Sequence, residues 1–240
     1  MSSAFDTLPD DGEGAAGVPN GASIGQSKRR AETTRLDASF LARWLRGSAA
    51  DIARNRDYLT QLDAAIGDAD HGVNMDRGFS AVLSIVESAD GLLPGELLLQ
   101  TGATLVLRVG GAAGPLYGTA FRDAGRALGD RATFGPAELA DALEAGLGGI
   151  TKLGAADEGD KTIVDAWAPA LRALRHARSG GLVRAIRDAR VAAEAGSAAT
   201  TPMEAKKGRA SYLGPRSVGH QDPGATSTAL LFAALERAAR

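Results

Sequence analysis

Beyond residue 33, apolar residues recur at helical spacing along nearly the whole chain. Leu36, Phe40, Leu41, Trp44 and Leu45 fall three and four apart, which paints one apolar stripe on a helix. A second helix, from about Ala49, carries Ile52, Tyr58, Leu59 and Leu62 and delivers the chain to Asp63. A third offers Met75, Phe79, Val82, Leu83 and Val86. Residues 91 to 94 read as a turn whose proline starts the next helix. The segment 97–109 is apolar almost all round, which predicts a central, buried helix. Pro136 opens another, through Leu139, Leu143, Leu147 and Ile150, and further helices are predicted around 163–177 and 182–195. A closing helix follows Gly224, through Leu230, Leu231, Phe232 and Leu235. No internal repeat and no convincing strand pattern is present. The expected fold is all-α, an antiparallel up-and-down barrel or bundle of about eight helices.

Composition sharpens this picture. Aromatic residues are only 5% and alanine is abundant, which favours closely packed helices over a sheet. A chain of 240 residues suits one domain with a sizeable core. Residues 1–33, rich in Gly, Ser, Ala, Asp and Pro and ending in Lys28, Arg29 and Arg30, read as a disordered extension, and 34–240 as the folded domain. The net charge of −2 gives no global field toward nucleic acid or an anionic membrane, so neither is an expected partner. The chain lacks cysteine, which excludes disulfides and thiolate metal sites, and no HExxH pair supports a zinc hydrolase. Without an apolar leader or a run of about 20 apolar residues, the protein is expected to be soluble and cytoplasmic.

The candidate chemistry lies between the helices. Asp63, Asp68 and Asp70 fall within eight residues, at a predicted helix end and in the loop after it, with Gly67 and Gly72 relaxing the backbone. Crowded carboxylates repel unless a cation or a proton intervenes, and a hard divalent ion such as magnesium, completed by water and phosphate, is the natural occupant. A calcium EF-hand is a poor match, because the glycine comes one residue early, at Gly72, and Phe79 stands where a bidentate glutamate is required. A bland alternative has Asp68 and Asp70 capping the next helix and Asp63 simply solvated.

The stretch 110–119, Gly-Gly-Ala-Ala-Gly-Pro-Leu-Tyr-Gly-Thr, feeds a helix. Its small residues suit either an anion held on backbone N–H groups or close helix crossing. In the loop 154–162, Asp160 intrudes between glycine and lysine and no strand leads in, so it is not a P-loop, and Asp160, Lys161 and Thr162 are left to cap the next helix or bind ligand. Arg172, Arg175, Arg178, Arg184, Arg187 and Arg190 form a basic stripe, read as a solvated face. The long segment 200–224 has little periodicity, and its Lys206, Lys207, Arg209, Tyr212, Arg216 and His220 suit a lid over an anion.

Taken in order, these stretches resemble the nucleotide-binding L subunit of bacterial dihydroxyacetone kinase over about residues 34 to 240. The resemblance is carried by Asp63-x4-Asp68-x-Asp70-His71-Gly72-x-Asn74-Met75, the glycine-rich run 110–119, Gly159-Asp160-Lys161-Thr162, and 208–225 from Gly-Arg-Ala-Ser-Tyr-Leu-Gly to His-Gln-Asp-Pro-Gly-Ala. It implies an eight-helix barrel with ADP or ATP at one end and two Mg ions on Asp63, Asp68 and Asp70. It further implies that His71 and Asn74 lie against the nucleotide and that Ala112 and Ala113 line the phosphate turn. Gly154, Ile163, Arg209 and the turn Asp222, Pro223, Gly224 would surround the adenosine. Ala113 stands where the family commonly has serine, leaving only backbone donation, and Ile163 replaces a frequent methionine.

The implied activity is transfer of a γ-phosphoryl group to dihydroxyacetone held by a separate K subunit, so no nucleophile or acid/base residue is expected in this chain. A phosphocarrier M subunit would recharge the resident ADP. A homodimer is the expected assembly. Alternative readings are an ATP-exchanging kinase subunit for another ketose such as erythrulose, and an ADP-loaded module that binds a transcription regulator.

Overall fold

In the computed structural model, the structure describes residues 35–176 and 181–240; the disordered extension expected over 1–33 and the expectation for Arg178 lie outside the described residues. Nine α-helices are present among them: α1 (Ala38–Arg54), α2 (Arg56–Ile66), α3 (His71–Glu87), α4 (Pro94–Arg108), α5 (Ala113–Leu128), α6 (Pro136–Gly154), α7 (Ile163–His176), α8 (Gly181–Ala199) and α9 (Pro223–Ala238). A 3-10 helix, Arg209–Ser217, interrupts the connection before α9. Among the described residues β-structure is limited to one isolated bridge, Leu36 to Phe134.

Eight of these helices close a ring. α1 packs on α3, each helix from α3 to α8 packs on the next, α8 packs on α9, and α9 returns to α1. The all-α barrel expected from the periodicity is therefore the architecture, with α2 added at one end, against α3, α9 and the 3-10 helix. The core is the inside of the ring. Phe40, Phe79, Phe121 and Tyr117 are almost wholly buried there, and Trp44 stacks on Phe121 with ring centroids 5.4 Å apart. Each tryptophan N–H that enters the core finds a backbone acceptor, Trp44 on the Leu231 carbonyl at 2.8 Å and Trp167 on that of Leu143 at 3.1 Å.

Two boundaries differ from the sequence reading. The first helix does not stop near Ala49; it runs through Ile52 to Arg54, and the break falls at Asn55. The apolar stripe continues in phase across 45–52, so the periodicity held no signal for an earlier end. Nor is α4 buried all round. Leu97, Leu98, Thr101, Gly102 and Leu105 face inward, while Leu107 is 80% exposed. In a ring no helix is central, and each keeps one side in solvent.

The glycines of 110–119 serve both of the readings left open for them. Gly110 and Gly111 form a turn at one end of the barrel, whereas Gly118 lies against Gly102 of α4, where an added Cβ would come within 2.8 Å of the Gly102 carbonyl. Of the described arginines in the stripe, Arg172, Arg184 and Arg187 are exposed and Arg175 and Arg190 half-buried, and three of the five make close ion pairs. Arg172 makes two bonds to Glu158, at 2.6 and 2.7 Å, Arg175 reaches Asp141 and Glu144, and Arg190 reaches Glu194 and Glu236. Among the described residues no helix is long and apolar enough to cross a membrane.

Candidate functional site

Four segments meet at one end of the ring and enclose a cavity of about 280 Å³: the α2–α3 loop, the α4–α5 turn, the α6–α7 loop and the segment 207–224. Asp63, Asp68, Asp70, His71, Ala112, Ala113, Gly154, Ile163, Arg209, Asp222, Pro223 and Gly224 all line it. Asn74 does not. Its side chain lies beneath Gly110, where a Cβ would come within 2.8 Å of its amide, and its Oδ1 accepts from Arg77 at 2.7 Å. The structure thus puts Asn74 under the glycine turn rather than on the cavity wall.

The three aspartates occupy three different backbone situations. Asp63 sits in the last turn of α2 and is 8% exposed. Its Oδ2 accepts the N–H groups of Asp70 and His71, at 2.8 and 3.1 Å, and so caps α3 from the preceding helix. Asp70 stands at the N-cap of α3 but makes no capping bond with its own side chain. The capping alternative is therefore filled by Asp63, the residue it had left to solvent, and the Asp70 carboxylate remains uncommitted. Ala69, between Asp68 and Asp70, adopts a left-handed φ of +61°, a conformation that costs a non-glycine residue about 1 kcal/mol and marks a constrained loop. Gly67 is dictated by packing, since a Cβ there would fall 2.0 Å from Asp63 Oδ1.

Each aspartate offers a carboxylate oxygen, and these atoms lie within 4.8 Å of one another. An all-oxygen, all-anionic donor set of this size fits a hard divalent cation of the magnesium or calcium type and not a soft metal. Across the cavity, α5 begins at Ala113 with Ala112 as an N-cap that supplies no side-chain bond. Gly111, at φ +64°, makes the turn. A helix N-terminus without a capping side chain favours an anion, and here it lines the same cavity as the acidic cluster.

His71 opens α3 and its Nε2 lies 2.9 Å from Ser227 Oγ of α9. Burial lowers its pKa, against the opposing pull of Asp63 and Asp70, so the imidazole is held toward the neutral form. Behind it, the Tyr117 hydroxyl lies 2.8 Å from Ser227 Oγ and 2.7 Å from Thr228 Oγ1, and donates to the Gly224 carbonyl at 3.0 Å. Burial raises the Tyr117 pKa, which keeps the phenol protonated. This network joins α3, α5 and α9 beneath the site. Sequence reasoning missed it, because each bond to α9 from His71 or Tyr117 spans more than 100 residues.

Asp222 caps α9 by accepting the Ala225 N–H at 2.6 Å. Burial, opposed by that bond and reinforced by Asp165, pushes its pKa up to about 7. On the lid, Arg209 Nη2 lies 3.1 Å from Asp68 Oδ2, so the basic segment closes directly onto the acidic one. Of the lid groups named from sequence, Lys207 and Arg209 line the cavity. Tyr212 is 87% exposed, on the outer side of a 3-10 helix that the sequence reading left as irregular chain. The 3-10 helix is broken at Gly214, whose φ of +54° interrupts the pattern that would have revealed it.

A ring of helices here holds a carboxylate cluster and an uncapped helix N-terminus in one end cavity, a donor set that fits a metal-bound anion. The chain belongs to the DAK2 domain family, whose description matches residues 65–237. It is 42% identical over 207 residues to the PEP-dependent dihydroxyacetone kinase, ADP-binding subunit DhaL of Escherichia coli, covering 85% of this chain and 99% of that protein. It is 41% identical over 194 residues to the PTS-dependent dihydroxyacetone kinase, ADP-binding subunit DhaL of Lactococcus lactis, covering 80% and 93%. The dihydroxyacetone kinase of C. freundii, solved with AMP-PNP and Mg2+, aligns with a TM-score of 0.64 at 27% identity, covering 95% of this chain and 38% of that one.

Proposed function

We propose that this chain is the ADP- and ATP-binding L-type subunit of a dihydroxyacetone kinase. In this reading the three aspartates hold two Mg ions, which neutralise the charge of the nucleotide's polyphosphate and of the phosphoryl group in transfer. The backbone N–H groups from Gly110 to Ala113 receive the phosphates, with no hydroxyl at position 113 to assist. Ile163, Gly154, Arg209 and the turn at Asp222, Pro223 and Gly224 enclose the adenosine, and His71, kept neutral by burial, packs against the nucleotide without adding charge. Asn74 acts through the Gly110 turn that it supports.

Dihydroxyacetone is carried by a separate K subunit, to which this chain gives the γ-phosphoryl group. The resident ADP is then rephosphorylated by a phosphocarrier M subunit, a scheme favoured by the PEP- and PTS-dependent relatives that align along nearly their whole length. A cytoplasmic homodimer is the expected working form.

The observation that carries this reading is the placement of Asp63, Asp68 and Asp70 opposite the uncapped start of α5 in a single cavity. Native mass spectrometry of the purified chain is expected to show bound adenine nucleotide together with Mg. Asp68→Asn and Asp70→Asn should each abolish Mg-dependent nucleotide retention while far-ultraviolet circular dichroism stays helical. Wild-type affinity in both variants would remove the site assignment. Sugar phosphate formed with a K subunit and a phosphoenolpyruvate-fed carrier, but not with free ATP, supports the recharging scheme; fast exchange with ATP removes it.

A further inference from the structure

Lys161 is 1% exposed, yet nothing in the proposed phosphoryl transfer uses its charge. Its backbone is left-handed, with φ +63°, which turns the side chain from the α6–α7 loop toward the lid. The ammonium donates to the carbonyl oxygens of Thr200 at 2.9 Å, Met203 at 3.1 Å and Ser217 at 2.9 Å, and also to that of His220. An ammonium has three N–H donors, so four carbonyls saturate it and leave nothing for a phosphate. Two acceptors lie where the segment leaves α8 and two where it returns toward α9, so a single side chain holds both ends of the lid. The neighbouring residue works in the same direction. The Asp160 carbonyl accepts the Lys206 N–H at 3.1 Å, and its carboxylate lies 3.4 Å from the Lys206 ammonium.

We propose that Lys161 is a positioning residue that clamps both ends of the lid to the cavity wall, so that Lys207, Gly208, Arg209 and Asp222 stand over the bound nucleotide. It touches no phosphate itself. The nucleotide half of this inference rests on the function proposed above, whereas the clamp on the lid does not.

The test replaces Lys161 by methionine, which keeps an unbranched stem and removes every donor. Without nucleotide, trypsin is expected to cut Lys161→Met after Lys206, Lys207, Arg209 and Arg216 on the order of tenfold faster than wild type, with helical content unchanged. The dissociation constants for ADP and AMP should rise together, by roughly tenfold or more. Asp51→Asn serves as a control: Asp51 is buried and paired with Arg54 and Arg237, away from the lid, so this variant should lose thermal stability with the lid and both affinities intact. Should Lys161→Met not fold, Lys161→Gln, with two donors left, is expected to give the same ordering at smaller amplitude. Unchanged lid cleavage overturns the proposal, as does a loosened lid with wild-type affinities. A loss confined to ADP would assign Lys161 to the phosphates and overturn it too. A wild-type chain that binds neither nucleotide would sink the proposed function, while the cleavage comparison would still decide the clamp.

Discussion

Single residues of the site carry costs that can be measured one at a time. A carboxyl with a folded pKa of about 7 keeps its proton in the folded chain and releases it near pH 4 when unfolded. The unfolded state is therefore favoured progressively as pH rises from about 4 to about 7, and the full penalty stands above that range. Between pH 5 and pH 8 the wild type should lose about 2 to 3 kcal/mol of stability relative to Asp222→Asn, at 1.36 kcal/mol per pKa unit, as measured by urea unfolding in chelator. Parallel pH profiles for the two proteins would rule this out. Gly67→Ala places a methyl where Asp63 Oδ1 now lies, so divalent-cation affinity should fall at least about tenfold while the helices persist. Isothermal titration with Mg and ADP checks it, and undiminished affinity would show that Asp63 can move aside. The acidic cluster was legible because its members are close in sequence. Lys161 and Tyr117 were not, since what each does depends on carbonyls and hydroxyls that only the fold brings near.

At the scale of helices, α4 and α5 approach closely enough that backbone meets backbone. A Cβ at Gly102 would come within 2.5 Å of the Gly118 carbonyl, and one at Gly95 within 2.2 Å of the Gly129 carbonyl. Gly102→Ala should accordingly destabilise the protein by about 1 to 3 kcal/mol, the range for overpacked interiors, despite alanine's better helix propensity. A urea midpoint equal to or above that of wild type would show that the crossing has slack. Helix existence was readable almost everywhere, because a 3.6-residue apolar period is a local property. The break at Asn55 was not, because the apolar stripe runs on in phase up to Ile52, and neither was the exposed side of α4, which follows from how few neighbours a helix in a ring has.

For the whole molecule, the groups proposed to meet nucleotide come from loops that are far apart in sequence but share one end of the barrel. A ligand bound there ties α2, α3, α5, α7, α9 and the lid together, and should stabilise the native state by about 2.7 kcal/mol at a hundredfold excess over its dissociation constant. Thermal unfolding with ADP should shift upward only when Mg is present; an equal shift in chelator would mean that the acids take no part in retention.

The opposite end of the barrel has its own consequence. Arg43, early in α1, bonds the Ala238 carbonyl at the end of α9, through Nε at 3.4 Å. That carbonyl lies about 24 Å along α9 from the turn that lines the cavity. The first and last helices thus begin and finish side by side, remote from the mouth. Splicing residue 239 to residue 35 through a short flexible linker, which keeps Leu36 and the Asp37 cap, and reopening the polypeptide between Asp130 and Arg131 should yield a circular permutant with the same fold and an undisturbed pocket.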